Sequence, residues 1–215
     1  MKLAPGILAT LALATPLKAE DLTIGFAIAK SGWMEAYDTP AATAAKIRID
    51  EINAAGGLLG RQIKVVEADT RTDRAESAKA GLDVVDQGAE MMVVSCDYDF
   101  GAPAALVAEG EGMNSFFLCA EDVKAGIQGV GPNSFSSSVL APVQGATMAE
   151  CSHARREART AYVLEDTFIE YNKGICTGFN FGERARPVTG VRRSSTGTPS
   201  VCAASISRST IWSSR

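Results

Sequence analysis

One stretch, Leu22 to Val66, constrains the fold of this chain more than any other: LTIGFAIAKSGWMEAYDTPAATAAKIRIDEINAAGGLLGRQIKVV. Ile24, Phe26 and Ile28 alternate with small residues, and the run ends at Ser31-Gly32, where the chain can turn sharply. Good helix formers fill Thr39 to Ala55, with Ala45, Ile49 and Ile52 on one face and Lys46, Asp50, Glu51 and Asn53 largely on the other. Gly56-Gly57 supplies the left-handed position that stops such a helix, and Ile63 to Val66 reads as a second short strand. Strand, helix and strand at these lengths predict a βαβ unit with a right-handed crossover. Ligands of open α/β sheets bind at the carboxyl ends of the strands, so the loop Lys30 to Tyr37 is the first candidate for function.

The same alternation continues. Asp73 is placed to cap a helix, with Glu76 three residues on to return a bond to its backbone. That helix is predicted to run to Gln87, with Ala75, Ala78, Leu82 and Val85 on one face and Gly88 ending it. Ala89 to Cys96 is a continuous apolar run, as expected for a strand buried on both faces. A loop, Asp97 to Gly101, leads to a helix from Pro103 to Glu109, and Ser115 to Ala120 is the next strand. The order β-α-β-α-β-α-β of short apolar strands predicts an α/β fold with a doubly wound parallel sheet. Residues 126–138, rich in Gly, Ser and Pro, read as a crossing segment. A helix from Val139 to Glu150, a buried strand from Thr160 to Leu164, the loop Glu165 to Tyr171 and a helical pattern from Asn172 to Gly182 begin a second α/β unit.

Charge separates the body from the tail. Residues 20–150 carry 9 Lys and Arg against 20 Asp and Glu, whereas residues 151–215 carry 10 against 5. An acidic body argues against nucleic acid as a partner, because phosphate binding needs clustered positive charge. Residues 1–19 read as a signal peptide: Lys2 supplies a positive start, Leu3 to Leu17 is mainly apolar, and Leu17-Lys18-Ala19 can precede cleavage before Glu20. Export to an extracytoplasmic or periplasmic compartment follows from that reading. Cys96 and Cys119 each follow an apolar strand, so they are either a disulfide between neighbouring strands or two buried thiols. No CxxC spacing or His/Cys cluster supports a metal site.

Composition changes again at Glu183. Residues 183–215 hold eight Ser and six Arg but no Lys, Leu, Asp or Phe, and show neither strand nor helix periodicity. This is read as a disordered tail or the product of a frameshift near Gly182, with CSHARREAR at 151–159 a second, shorter slip. Translation of the adjacent frame downstream is the check, since it should restore ordinary strands and helices.

IGFAIAKSG (24–32), DEINAAGGLLGRQIKVVEAD (50–69) and the order of elements through Ala120 resemble the type I periplasmic solute-binding proteins of ABC importers, specifically the branched-chain amino-acid (Leu/Ile/Val) branch. The resemblance spans Leu22 to Gly182 and implies a periplasmic-binding-protein type I fold: a first lobe over residues 20–138, then a crossing segment and a truncated second lobe over 139–182. It also implies that a small solute sits between lobes, held by loops after the first-lobe strands, and that a membrane permease is the partner. Ser31 and Trp33, then Asp97, Tyr98, Asp99 and Phe100, then Ala120 and Glu121, with Asp166 and Tyr171 from the second unit, are the candidate ligand-binding residues.

The small hydroxyl residues that hold an α-amino acid in that branch are replaced here by acidic and aromatic ones. Such a set suits an amine-like or ring-bearing amide solute, held by cation–π contact with Trp33 or Tyr98 and by carboxylates. A cleft with an incomplete second wall buries less than the 70–90% of ligand surface typical of such sites, so weak or absent binding is expected of this chain. Alternatives to an import receptor are an exported sensor of the same fold and a non-functional fragment.

Catalysis finds little support. His153 is the only histidine, and no nucleophile–base set assembles around it. Gly56 to Arg61 lacks the GK[ST] of a phosphate loop and follows a helix. Asp97 and Asp99, if extended, point to opposite sides and cannot share a proton. No catalytic residue, metal or cofactor is assigned.

Overall fold

The computed structural model describes residues 20–156, 160–185, 192–195 and 203–207. The signal-peptide reading of residues 1–19 lies outside them. Strand β1 (Leu22–Ile28), helix α1 (Glu35–Ala54), β2 (Ile63–Asp69), α2 (Arg74–Asp86), β3 (Met91–Val94), α3 (Tyr98–Gly110), β4 (Asn114–Phe117) and β5 (Ser134–Ser136) form the first unit. Its five strands are all parallel, in the order β2-β1-β3-β4-β5. Connections run one way from β1 to β2 and the other way from β3 onward, so the strand order reverses between β1 and β3. In open α/β sheets the ligand crevice is expected at such a reversal, bordered by the segments that leave the carboxyl ends of those two strands.

The alternation in β1 sorts the helices onto two faces. Ile24, Phe26 and Ile28 pack with Ala42 and Ile49 of α1 and Ile63 of β2. Ala27 faces the other way, into the cluster of Val84 on α2, Met92 and Val94 on β3, and Ala104, Ala105 and Ala108 on α3. Small residues on that face let α2 approach closely: a Cβ on Gly25 would stand 2.7 Å from Val84 Cβ. The buried side of α2 is therefore Ser77, Ala80, Gly81 and Val84, while Leu82 is exposed. The expected face, Ala75, Ala78, Leu82 and Val85, is rotated because close packing against β1 and α3 selects small residues over the most apolar ones.

Several boundaries differ from the sequence reading. Helix α1 begins at Glu35, with Pro40 inside it, and it stops at Gly56-Gly57, both with positive φ (106° and 85°). Asp73 caps α2 by accepting from the Ala75 and Glu76 N–H groups. Its own N–H goes to the Thr70 carbonyl, and the Glu76 side chain pairs with Lys79 instead of closing a capping box. The crossing segment 126–138 contains β5, which joins the first sheet as an edge strand.

In the second unit, α4 (Ala141–Arg156) and α5 (Glu170–Ala185) pack on β6 (Thr160–Glu165). Its core is Ala149, Ala161, Val163, Cys176 and Phe179. Helix α4 continues through Cys151 to Arg156, residues read as a slip from the sequence. Two strands described within the tail, β7 (Arg192–Ser195) and β8 (Ala203–Ser207), flank β6, the first parallel and the second antiparallel.

Candidate functional site

A single carboxylate fixes the geometry of the crevice. Asp38, in the first turn of α1, accepts from the Ala29 N–H (2.7 Å) just past β1 and from the Cys96 N–H (2.8 Å) just past β3. It is fully buried, and that burial raises its pKa against the opposing pull of those two bonds. The β2 end holds the next stretch: Asp69 accepts from the Lys30 N–H and the Ser31 hydroxyl, each at 2.8 Å. Thr72 donates to the Ser31 carbonyl (2.8 Å) and accepts from the Met34 N–H (3.3 Å). Trp33 is left 47% exposed by these ties, edge-on to Phe100 at 5.4 Å and to Tyr37 at 6.4 Å.

The segment read as a loop from Asp97 to Gly101 is the start of α3. Asp97 is its N-cap, accepting from the Asp99 N–H at 2.8 Å. A helix can begin this early because Asp97 supplies the missing acceptor; Pro103, the sixth residue of α3, has no N–H to give the Asp99 carbonyl. Asp97 and Asp99 therefore do not splay apart along an extended chain. Burial, and then the neighbouring Asp99 charge, push the Asp97 carboxyl from 3.8 up to about 7. Cys96 and Cys119 form a disulfide across the ends of β3 and β4, with Cα atoms 4.4 Å apart, which settles their alternatives.

Asp99 is the junction between units. One of its oxygens accepts from the Arg74 guanidinium (2.7 Å) and the other from the N–H of Glu170, the first residue of α5 (2.8 Å). Phe100 is only 4% exposed and forms the floor beneath Arg74, whose guanidinium carbon lies 5.2 Å from the Phe100 ring centre and 6.0 Å from that of Phe168. Ile169 packs against the cluster of Ala29, Met34, Cys96 and Phe100. Lys124 reaches Glu170 at 2.6 Å, and Lys173 meets the same carboxylate at 2.5 Å. The two cations hold the Glu170 carboxyl below its ordinary range.

The other candidates have distinct surroundings. Tyr98 stacks on Phe117 at 6.5 Å, with Lys124 Nζ 6.0 Å from its ring centre. Tyr171 meets Gln144 Oε1 at 3.3 Å, and burial, followed by the charge and hydrogen bond of Glu121, raises its pKa. Asp166 turns into its own loop, accepting from the Phe168 N–H (2.9 Å) and Asn172 Nδ2 (3.2 Å). Ala120 belongs to the first-unit core, and its carbonyl accepts from the Ser136 hydroxyl. Thus Trp33, Asp99 and Phe100 meet around Arg74, and Glu121 meets Tyr171. Ser31, Asp97 and Tyr98 are engaged with Asp69, the start of α3 and Phe117, and Ala120 and Asp166 serve local structure.

Arg74, Phe168, Lys124, Glu170 and Asp38 were not singled out from the sequence. Phe168 and Glu170 lie in a loop already marked as a strand end, and Arg74 directly follows a marked cap, so position carried a signal that residue type did not. A cavity of about 430 Å³ between β2 and α2, lined by residues such as Asp69, Arg71, Glu76 and Lys79, includes none of the ten candidates. Among the described residues, no group of His, Cys, Asp and Glu could hold a metal ion, and no helix is long and apolar enough to cross a membrane.

A family model described as "Periplasmic binding protein" matches residues 21–180. No curated protein matches the chain. Among solved structures, the chain is similar to the branched-chain amino-acid transporter substrate-binding protein LivJ of Streptococcus pneumoniae in complex with isoleucine. The two share 26% identity at a TM-score of 0.71, over 83% of this chain and 51% of that one. It is also similar to the leucine-binding protein LivK of Thermotoga maritima, with 20% identity and a TM-score of 0.69 over 81% and 49% of the two chains. An ABC transporter substrate-binding protein of Desulfitobacterium hafniense in complex with Leu gives 17% identity and a TM-score of 0.66 over 84% and 52%. The chain spans about half the length of these structures.

Proposed function

Because the chain belongs to the periplasmic binding protein family, we propose that it is an extracytoplasmic receptor of an ABC importer. It captures a small polar organic solute (an amino acid, amide or amine) at the crevice between its two units and presents it to a membrane permease. No chemistry is done on the solute. The observation that carries this reading is the convergence of side chains at the reversal of strand order. The segments that follow β1, β3 and β4 bring Trp33, then Asp99 and Phe100 at the start of α3, and Glu121 to the ends of neighbouring strands. There Phe168 of the β6–α5 loop meets Phe100, and Tyr171 of α5 meets Glu121. A ligand held there touches both units, so binding is coupled to their relative position, which is what hinge closure requires.

Titration calorimetry of residues 20–215 tests the reading, with L-leucine, benzoate and agmatine as zwitterionic, anionic and cationic solutes. Saturable but weak binding of one class, as an incomplete second wall dictates, weakened further by Trp33→Ala, is the expected result. No saturable heat from any of the three up to millimolar concentrations overturns it.

A further inference from the structure

The geometry points to Arg74 as an internal occupant of a seat built for an organic cation, so that the solute class of this crevice is a guanidinium or ammonium compound that must displace the Arg74 side chain. This rests on the receptor reading above and narrows it. The seat has the three parts that organic-cation recognition needs. Asp99 supplies a carboxylate oxygen at 2.7 Å. Phe100, buried, supplies an aromatic floor at 5.2 Å, and Phe168 supplies a second ring at 6.0 Å from the other unit. An aromatic face within about 6 Å attracts a cation through the ring quadrupole, and a carboxylate adds a charge-assisted hydrogen bond. Trp33, edge-on to Phe100 at 5.4 Å, is a half-exposed wall of the same box. Arg74 itself is the first residue of α2, and its side chain is 50% exposed. It lies over this box at the end of a flexible stem, not locked in a core.

Charge decides between cation and anion. The cations at this edge, Arg74, Lys124 and Lys173, each already hold a carboxylate. An arriving anion would have to break one of those pairs. By contrast, Asp97 accepts from a neutral donor, the Asp99 N–H, and Asp122 from the Lys124 N–H. A cation arriving at this edge meets carboxylates bonded by neutral N–H groups and has to break no ion pair except that of Arg74. A cationic solute that replaces Arg74 keeps Asp99 paired and both rings occupied, and it releases the guanidinium to solvent. An internal competitor lowers apparent affinity by the fraction of time the seat is open.

Removal of the competitor tests this. Arg74→Gln is expected to bind agmatine about ten-fold more tightly than the wild type, corresponding to a wild-type seat open roughly one-tenth of the time. Arg74→Lys, which keeps a cation on the stem, should bind close to wild type. Asp99→Asn in the Arg74→Gln background should lose the gain, and Phe168→Ala alone should weaken agmatine binding. Thermal melts establish that each variant is folded before titration. The inference is overturned if agmatine binding is unchanged or lost in Arg74→Gln while L-leucine or benzoate still binds, an outcome that leaves the receptor reading intact. If none of the three solutes binds either the wild type or Arg74→Gln, both readings fall. Tighter benzoate binding by the wild type than by Arg74→Gln would make Arg74 an anion ligand and also overturns the inference.

Discussion

Asp97→Asn isolates the energetic cost of a buried charge at the crevice. In the folded chain the Asp97 carboxyl titrates at about 7, whereas in the unfolded chain it titrates near the ordinary value of about 3.9. Below about pH 4 both states hold the proton and the group contributes no pH dependence. Between pH 4 and 7 the folded state binds more proton than the unfolded state, so stability falls as pH rises, by about 1.4 kcal/mol per pH unit. The accumulated loss by pH 8 is about 4 kcal/mol, a large share of the 5–15 kcal/mol typical of a whole domain. Asparagine matches aspartate as a helix N-cap, and its carbonyl can keep the bond from the Asp99 N–H. Loss of the charge–dipole term costs only about 0.3–1 kcal/mol. Asp97→Asn should therefore be more stable than wild type at pH 8 and nearly equal to it at pH 4.5. Urea unfolding of both proteins at pH 4.5, 6 and 8 measures this. Carboxylates held low, such as Glu170 beside Lys124 and Lys173, lose stability in the opposite direction but cancel in the difference. A difference that grows by less than 1 kcal/mol between pH 4.5 and 8, or one that favours wild type as pH rises, refutes the reasoning.

Other substitutions probe the frame around the site. Asp38→Ala orphans the buried Ala29 and Cys96 N–H groups. At about 1–3 kcal/mol for each unsatisfied donor it should lower unfolding free energy by roughly 2–6 kcal/mol, and a loss under 1 kcal/mol in urea would show that the clamp is not holding the crevice. Reduction of Cys96–Cys119, which closes a loop with a sequence separation of 23, should cost about 3 kcal/mol by chain entropy. A melting temperature unchanged by reductant would contradict that. Gly25→Ala places a methyl 2.7 Å from Val84 Cβ, and overpacking of this kind typically costs about 1–3 kcal/mol. An unchanged denaturant midpoint would mean that α2 moves away freely.

The crevice was legible in outline and not in detail. Trp33, Asp99 and Phe100 meet around Arg74, and Glu121 meets Tyr171, because strand ends are marked locally, by a change from apolar residues to Gly, Ser, Asp and aromatics. Their roles were not marked. Asp99 looked like a loop acid, yet it joins Arg74 on α2 to the first N–H of α5, partners 25 and 71 residues away in sequence. Ala120 was read as a ligand-binding residue at a strand end, and its side chain is part of the core. Asp38 gave no signal at all, since an acid in the first turn of a helix is ordinary and only the fold reveals two strand ends meeting on it.

Sequence by itself determined the repeating strand–helix plan, because side-chain periodicity, caps and double-glycine stops act within a few residues of each other. It also determined which face of β1 would carry large residues and which small. The tertiary structure alone decided the strand order, the disulfide, the packing face of α2 and the pairing of Arg74, Asp99 and α5. Those depend on which distant surfaces come within a few ångströms, and short-range contact energies between remote segments leave no periodic trace in the chain that makes them.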